Sequence, residues 1–447
     1  MIRTKKRHQL DMCHGSLADK ILLFAIPLMA SSMLQLLFNA ADVIVVGRFA
    51  GKESLAAVGS TTSLINLLVA LFVGLSVGSN VVVARNLGGK RHDMVGRAVH
   101  TSILMALVSG AILAVFGFFA ARQLLVWMSS PADVIDKSAI YLRIYFLGMP
   151  ATMAYNFGAA ILRAQGDTKR PLYFLIIAGV VNVILNLISV ILLNMDVAGV
   201  ALATTISQYV SAGLVILCLT KEDGPLRLNL KAMKLDRHIL GQILEIGLPA
   251  GFQGIVFSLS NVLIQSSINS FGSTVVAGSA AAGNIENFVY QAMNAFYQTN
   301  LTFTGQNYGA GEKERVRKGY HVSLWTVGLW GILVSAIFIC FPGAIADVFF
   351  HEPKAVEIAI GYLVIIGFGE AFMCVELTTI GALSGLGRTR LCSVISVAFT
   401  SARIPLAVIL SESMGLHGIW WALTSTSVVK GIIFTCTFFW IMRKKTS

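Results

Sequence analysis

The chain has 447 residues, 56% of them hydrophobic and 13% charged, about half the charged share of a soluble domain, so a soluble globular enzyme is excluded and lipid is the natural solvent. A net charge of +12 does not mark a nucleic-acid binder, because the basic residues sit in alternate loops rather than on one face or in one tail. The six cysteines are scattered without a CxxC spacing, which gives neither a disulfide framework nor a zinc site.

Residues 1–19 form an N-terminal tail carrying Arg3, Lys5, Lys6 and Arg7. The apolar run behind it outlasts a signal-peptide core and reads as a retained first helix. With about 20 apolar residues needed per crossing, the first half is predicted to hold helices at 20–47, 54–83, 95–121, 134–163, 170–194 and 198–220. A basic linker at 221–237 follows. The second half reads 238–270, 275–304, 316–346, 355–385, 391–412 and 417–442, before a short tail at 443–447. Domains are therefore expected at 20–220 and 238–442. Positive loops are retained in the cytoplasm. Alternate breaks carry Arg85, Lys90, Arg91 and Arg97; Arg163, Lys169 and Arg170; Lys221 to Arg237; Lys313 to Lys318; Arg388 and Arg390; and the tail from Arg443. The intervening breaks hold only Arg48, Lys52, Arg122, Lys137 and Lys354. Both termini are predicted to be cytoplasmic, and the number of spans even.

Internal similarity organises the chain. Ile26-Pro27 matches Leu248-Pro249, Asn86-Leu87-Gly88 matches Asn307-Tyr308-Gly309, and the Gly166–Lys169 turn matches Gly387–Arg390, at offsets of 222, 221 and 221 residues. The expected fold class is an all-α integral membrane protein, with twelve transmembrane helices in two pseudo-symmetric six-helix bundles. Parallel halves of this kind are a transporter plan, with the substrate path between them.

The first-helix pattern Pro27, Gln35, Asn39, Asp42 and Gly47, the Gln306–Gly311 loop, the Gly166-Asp167 turn and the pair Asn182 and Asn186 together resemble the multidrug and toxic compound extrusion (MATE) family over essentially the whole chain. The resemblance implies a secondary antiporter in the inner (plasma) membrane of a bacterium. Such a protein exports small organic compounds in exchange for Na+ or H+, with no cofactor, no nucleic-acid partner, membrane lipid as its surroundings and a monomeric transport unit. The chain contains no GxxxxGK[ST] phosphate loop, so the energy is expected from an ion gradient rather than from ATP. One rival is a lipid-linked sugar flippase, which would line its cavity with basic groups for pyrophosphate. The first half has almost none at membrane depth beyond Arg143. The other rival, an intramembrane lipid-modifying enzyme, would need a nucleophile or metal set; HExxH does not occur, and the GxSxG at Gly74–Gly78 lies inside an apolar helical run rather than at a strand-to-helix turn.

An acid at membrane depth costs about 2.5–3.5 kcal/mol to insert and marks function by default. Asp42 is such an acid, and Gln35, Asn39 and Asp42 share one face of the first helix. Asn182 and Asn186 are one turn apart on the fifth helix, and Thr204 and Gln208 on the sixth. By resemblance, Asp42, Asn182, Asn186 and Thr204 correspond to the family's coupling-ion site. One carboxylate, two carboxamide oxygens and a hydroxyl suit a small hard cation such as Na+. A carboxyl that takes and releases a proton is the alternative. Some family members carry aspartate where Asn186 stands; the single carboxylate here leaves the choice between sodium and proton open.

The eighth helix carries an amide stripe of Asn284, Asn287, Gln291, Asn294 and Gln298 beside Glu286, Tyr290, Met293 and Tyr297. Together these offer an acid, two phenol rings and a thioether to an amphiphilic organic cation, and they are expected to wall the substrate cavity. Glu370, Glu376, Arg403 and Lys430 are expected to pair among themselves, since pairing relieves desolvation. Pro27, inside the first helix, is the expected hinge. Gly74/Gly78 and Gly381/Gly385 have the spacing of close helix packing.

Overall fold

Within a bilayer each backbone N–H and C=O must be satisfied inside the chain, and for long apolar runs the helix achieves this. The computed structural model describes residues 9–128, 130, 133–349 and 353–444. The basic residues Arg3, Lys5, Lys6 and Arg7 of the N-terminal tail, and residues 445–447 of the C-terminal one, lie outside the described residues. The first half contains α1 (Leu17–Val45), α2 (Lys52–Gly88), α3 (His92–Trp127), α4 (Ile135–Leu147), α5 (Met149–Ala164), α6 (Lys169–Leu187) and α7 (Asp196–Thr220). The second contains α8 (Arg237–Asn269), α9 (Ser273–Gly309), α10 (Lys313–Cys340), α11 (Pro342–Phe349), α12 (Pro353–Gly385), α13 (Thr389–Met414) and α14 (Leu416–Lys444). No strand occurs among the described residues.

Ten of these helices are long and apolar enough to cross a membrane. The segment expected as one span at 134–163 is divided into α4 and α5 at Gly148. Pro150, in the first turn of α5, has no N–H to continue the ladder. Pro342 likewise opens α11 inside the segment expected at 316–346. The 37-residue α9 has the length but not the apolarity, because its amide stripe dilutes it. On α3, Leu107, Val108, Ile112, Val115, Phe116 and Phe119 are all exposed. An apolar face of that size is stable only against lipid.

The helices gather into two compact units. The first comprises the described part of Met1–Asp11 with Ala30–Gly251, the second Met12–Met29 with the described part of Phe252–Ser447. The chain thus changes unit inside α1 and again inside α8, each time two residues after an interior proline, Pro27 or Pro249. Each proline removes a backbone hydrogen bond, which makes these the points where the two helices bend most readily.

Repeated sequence closes repeated structure. At the end of α5 the Asp167 N–H donates to the Leu162 carbonyl at 3.0 Å, and at the end of α12 the Arg388 N–H donates to Leu383 at 2.9 Å. The residue before each is glycine with positive φ, +93° at Gly166 and +65° at Gly387, as a left-handed helix terminus requires. Arg91 to Asn86 and Glu312 to Asn307 form a second matched pair, both 2.9 Å. In the first unit a Cβ on Gly74 would lie 2.2 Å from the Gly251 nitrogen; in the second, one on Gly381 would lie 2.3 Å from the Tyr297 carbonyl. Small residues there let two helix backbones touch, which is how helices gain packing energy in lipid.

The linker is ordered at its end by Asp236, whose carboxylate accepts from the His238 and Ile239 N–H groups at 2.9 and 3.0 Å. The Ile239 N–H, ahead of the Arg97 guanidinium, holds that carboxyl below the usual carboxylate range. This is the cap that α8 needs for its first free donors.

Candidate functional site

In the first unit Asp42 of α1 meets α6. The Asn186 Nδ2 donates to Asp42 Oδ1 and also to Asn182 Oδ1, the latter at 3.3 Å. Asn182 Nδ2 in turn donates to Thr204 Oγ1 of α7 at 3.4 Å. Three helices therefore deliver one acid, two amides and a hydroxyl to one place. Asn182 and Asn186 are buried, at 5% and 1% exposure, while Asp42 and Thr204 are half-buried. Burial matters because a hydrogen bond to a charged group is worth about 1.5–3 kcal/mol. Gln35 and Asn39 share the α1 face but are exposed and stand outside this cluster.

Toward the carboxyl Asn186 turns its amide nitrogen, not its oxygen, while the Asn182 nitrogen goes to Thr204. That arrangement stabilises a carboxylate without any metal and suits a group that alternately holds and releases a proton. The Asn186 Oδ1 is buried without a hydrogen-bond partner among the described residues. A half-turn of that amide would present its oxygen and give an all-oxygen set for a small hard cation.

Sequence reasoning missed a feature beside the site. Just beyond Asp42, α1 widens into a π-helical turn at Val46–Ala50, and just beyond Asn186, α6 does the same at Ile188–Leu192. The two turns touch. Such widened turns are rare and gather at functional sites. No residue pattern announces them, since the local composition is that of any apolar helix.

In the second unit the residues expected to form a wall on α9 divide. Glu286 accepts a hydrogen bond from the Tyr362 hydroxyl of α12, and Tyr290 stacks on Phe257 of α8, with ring centroids 6.1 Å apart. Gln291, Asn294 and Gln298 are half-buried, and Asn284 and Asn287 exposed. Met293, expected on an open wall, is instead packed away at 1% exposure. Tyr297 lies against the apolar cluster around Tyr320, Phe434 and Phe438. The reason is the close approach of α9 to α12 at Gly381, which turns this stretch of α9 inward.

The remaining buried charges pair only in part as expected. Lys430 and Glu376 form an ion pair at 2.7 Å. Among the described residues Arg403 of α13 bonds no acid: its Nε donates to Ser260 Oγ at 2.6 Å and its Nη2 to Asn261 Oδ1 at 2.5 Å. Glu370 is fully buried, and its carboxyl oxygens have no hydrogen-bond partner among the described residues.

Known proteins share this plan. The MatE family model matches the chain twice, over residues 27–188 and 249–409, once in each half. The probable multidrug resistance protein YoeA of Bacillus subtilis (strain 168) is 28% identical over 411 residues, covering 89% of this chain and 88% of that protein. The probable multidrug resistance protein NorM of Thermotoga maritima is 25% identical over 430 residues, covering 94% and 90%. Among solved structures, a MOP superfamily transporter from Pyrococcus furiosus superposes with a TM-score of 0.91 at 23% identity over 98% of each chain. At that identity the likeness speaks for the fold.

Proposed function

The chain belongs to the MatE family of multi-pass membrane transporters and is not an enzyme, and from that premise we propose that it is a secondary antiporter. It exports small, often cationic organic compounds while a proton or sodium ion enters at Asp42. The observation that carries this reading is the half-buried Asp42 carboxyl on an apolar helix, hydrogen-bonded by Asn186, which links it to Asn182 and to Thr204. With its charge exposed to lipid, that carboxyl would cost about 2.5–3.5 kcal/mol. Cation binding removes the charge and with it the demand for these donors. The part of α1 beyond Pro27 is then free to adopt a second arrangement, so occupancy and conformation are linked. The Asn186 amide nitrogen turned to Asp42 favours the proton. Sodium is the second reading, supported by the unpartnered Asn186 Oδ1.

Twelve spans follow when α9 and the α4–α5 pair join the ten apolar helices, and the positive loops then set both termini in the cytoplasm of a bacterial inner membrane. Substrate is met in the second unit by Glu286, Tyr290 and the α9 amides, whose charge and π-faces suit an organic cation. Purified protein in liposomes tests the proposal. A pH or sodium jump should move an organic-cation dye across the bilayer, and movement of a lipid-linked sugar without dye transport would overturn it.

A further inference from the structure

The two matched stretches, 27–188 and 249–409, align the halves at an offset of about 221 residues, which sets Asn182 against Arg403 and Asn39 against Asn261. The contacts obey the same register. Asn186 meets Asp42 across 144 residues of chain, and Arg403 meets Ser260 and Asn261 across 143 and 142. The same two helices of each half, α1 with α6 and α8 with α13, thus touch, the Arg403 contact lying about one turn before the counterparts of Asp42 and Asn186, which are the apolar Ile264 and Ala407. The chemistry of the touch differs.

In the first unit that point holds an acid awaiting a cation. In the second it already holds one. The Arg403 guanidinium is received by two neutral oxygens, Ser260 Oγ and Asn261 Oδ1, and by the face of Phe257, whose ring centroid lies 5.2 Å from its central carbon. Hard oxygens and a π-face are what a bound cation seeks. Arg403 is 6% exposed, and a guanidinium does not give up its proton in a protein. Glu286 and Glu376 lie near enough for their charges to act on it, yet Tyr362 and Lys430 engage them instead.

We propose that Arg403, at the position of Asn182, is a tethered cation in the second-half counterpart of the coupling site, where Ile264 replaces the acid, so that this protein exchanges one cation per substrate, at Asp42 alone. The inference rests on the cation-coupled export proposed above. A free ion can leave its site during a cycle; a guanidinium on a helix cannot. The second unit is therefore held permanently in the loaded arrangement while the first one cycles.

Two measurements test it. In proteoliposomes, one-for-one exchange of a monovalent ion for the monovalent dye ethidium moves no net charge. A membrane potential imposed with potassium and valinomycin should leave the equilibrium dye ratio unchanged. A voltage-dependent ratio, meaning two ions per dye, would overturn the inference. In the second measurement, Arg403→Ala should lower export by about tenfold or more, since it empties the cation position between Ser260, Asn261 and Phe257 and leaves those buried groups unpartnered. Millimolar guanidinium should restore much of it, urea, its neutral isostere, none of it, and Arg403→Lys should keep most of the rate. Full export by Arg403→Ala alone, equal rescue by urea, or no rescue in a variant that melts like the wild type would each contradict the proposal. Should Arg403→Ala not fold, the voltage measurement on the wild type decides. Absence of any gradient-driven export by the wild type would remove the coupling reading itself, whereas two ions per dye would remove only the tethered cation.

Discussion

Where α1 meets α6, the contact is a carboxyl held by an amide next to two π turns. Where α8 meets α13, about one turn earlier in the matched register, the contact is a guanidinium on neutral oxygens and an aromatic face, and neither helix carries a π turn. Elsewhere the halves share the glycine-closed ends of α5 and α12, the paired Asn86 and Asn307 turns, and the prolines at which α1 and α8 change unit, although α4 and α5 are separate where α12 runs unbroken. The duplication thus kept its scaffold and parted at polar groups inside the membrane, where a misplaced charge is most expensive. Divergence at such positions separates a working site from a supporting one.

Moving the second half's chemistry into the first would break this comparison most severely. Asn182→Arg places a guanidinium beside Asp42, and dye export driven by a pH or sodium gradient should vanish while the protein still purifies as a folded monodisperse species. Asn186→Leu removes the donor shared by Asp42 and Asn182; initial export rates should fall about tenfold or more, the equivalent of a lost hydrogen bond to a charged group at about 1.5–3 kcal/mol. Glu286→Gln probes the second unit. Efflux of cationic dyes should drop about tenfold, roughly 1.4 kcal/mol, with neutral substrates little changed, and equal loss of both would take the acid out of recognition. Asp236→Asn is expected to do least. Its carboxyl sits below the usual range, so its contribution is present above the unfolded value of about 3.9 and is lost as pH falls through the lowered folded value. Melting curves of wild type and variant should therefore differ slightly at neutral pH and converge in strong acid.

Much of this was legible in the sequence because lipid leaves so few choices. Apolar runs give helices, basic loops give a predicted orientation, and the spacing of Asn182 and Asn186 puts both amides on one face of α6. The glycine pairs announced close packing in both halves. Other features depend on partners distant in sequence. Nothing local says that Tyr362 bonds Glu286, or that Arg403 turns to Ser260 and Asn261 rather than to an acid. Met293 was misjudged because helical periodicity shows which residues share a face without showing what that face packs against. Breaks at Gly148 and Pro342 were within reach, since Pro150 and Pro342 both carry the signal of a helix start.

The account stands most directly on ethidium accumulation in inverted vesicles carrying either wild-type protein or Asp42→Asn, with a pH or sodium gradient imposed or collapsed. It predicts accumulation that follows the gradient in the wild type and a gradient-independent, near-background signal in the variant. Gradient-dependent accumulation that persists in Asp42→Asn would contradict it.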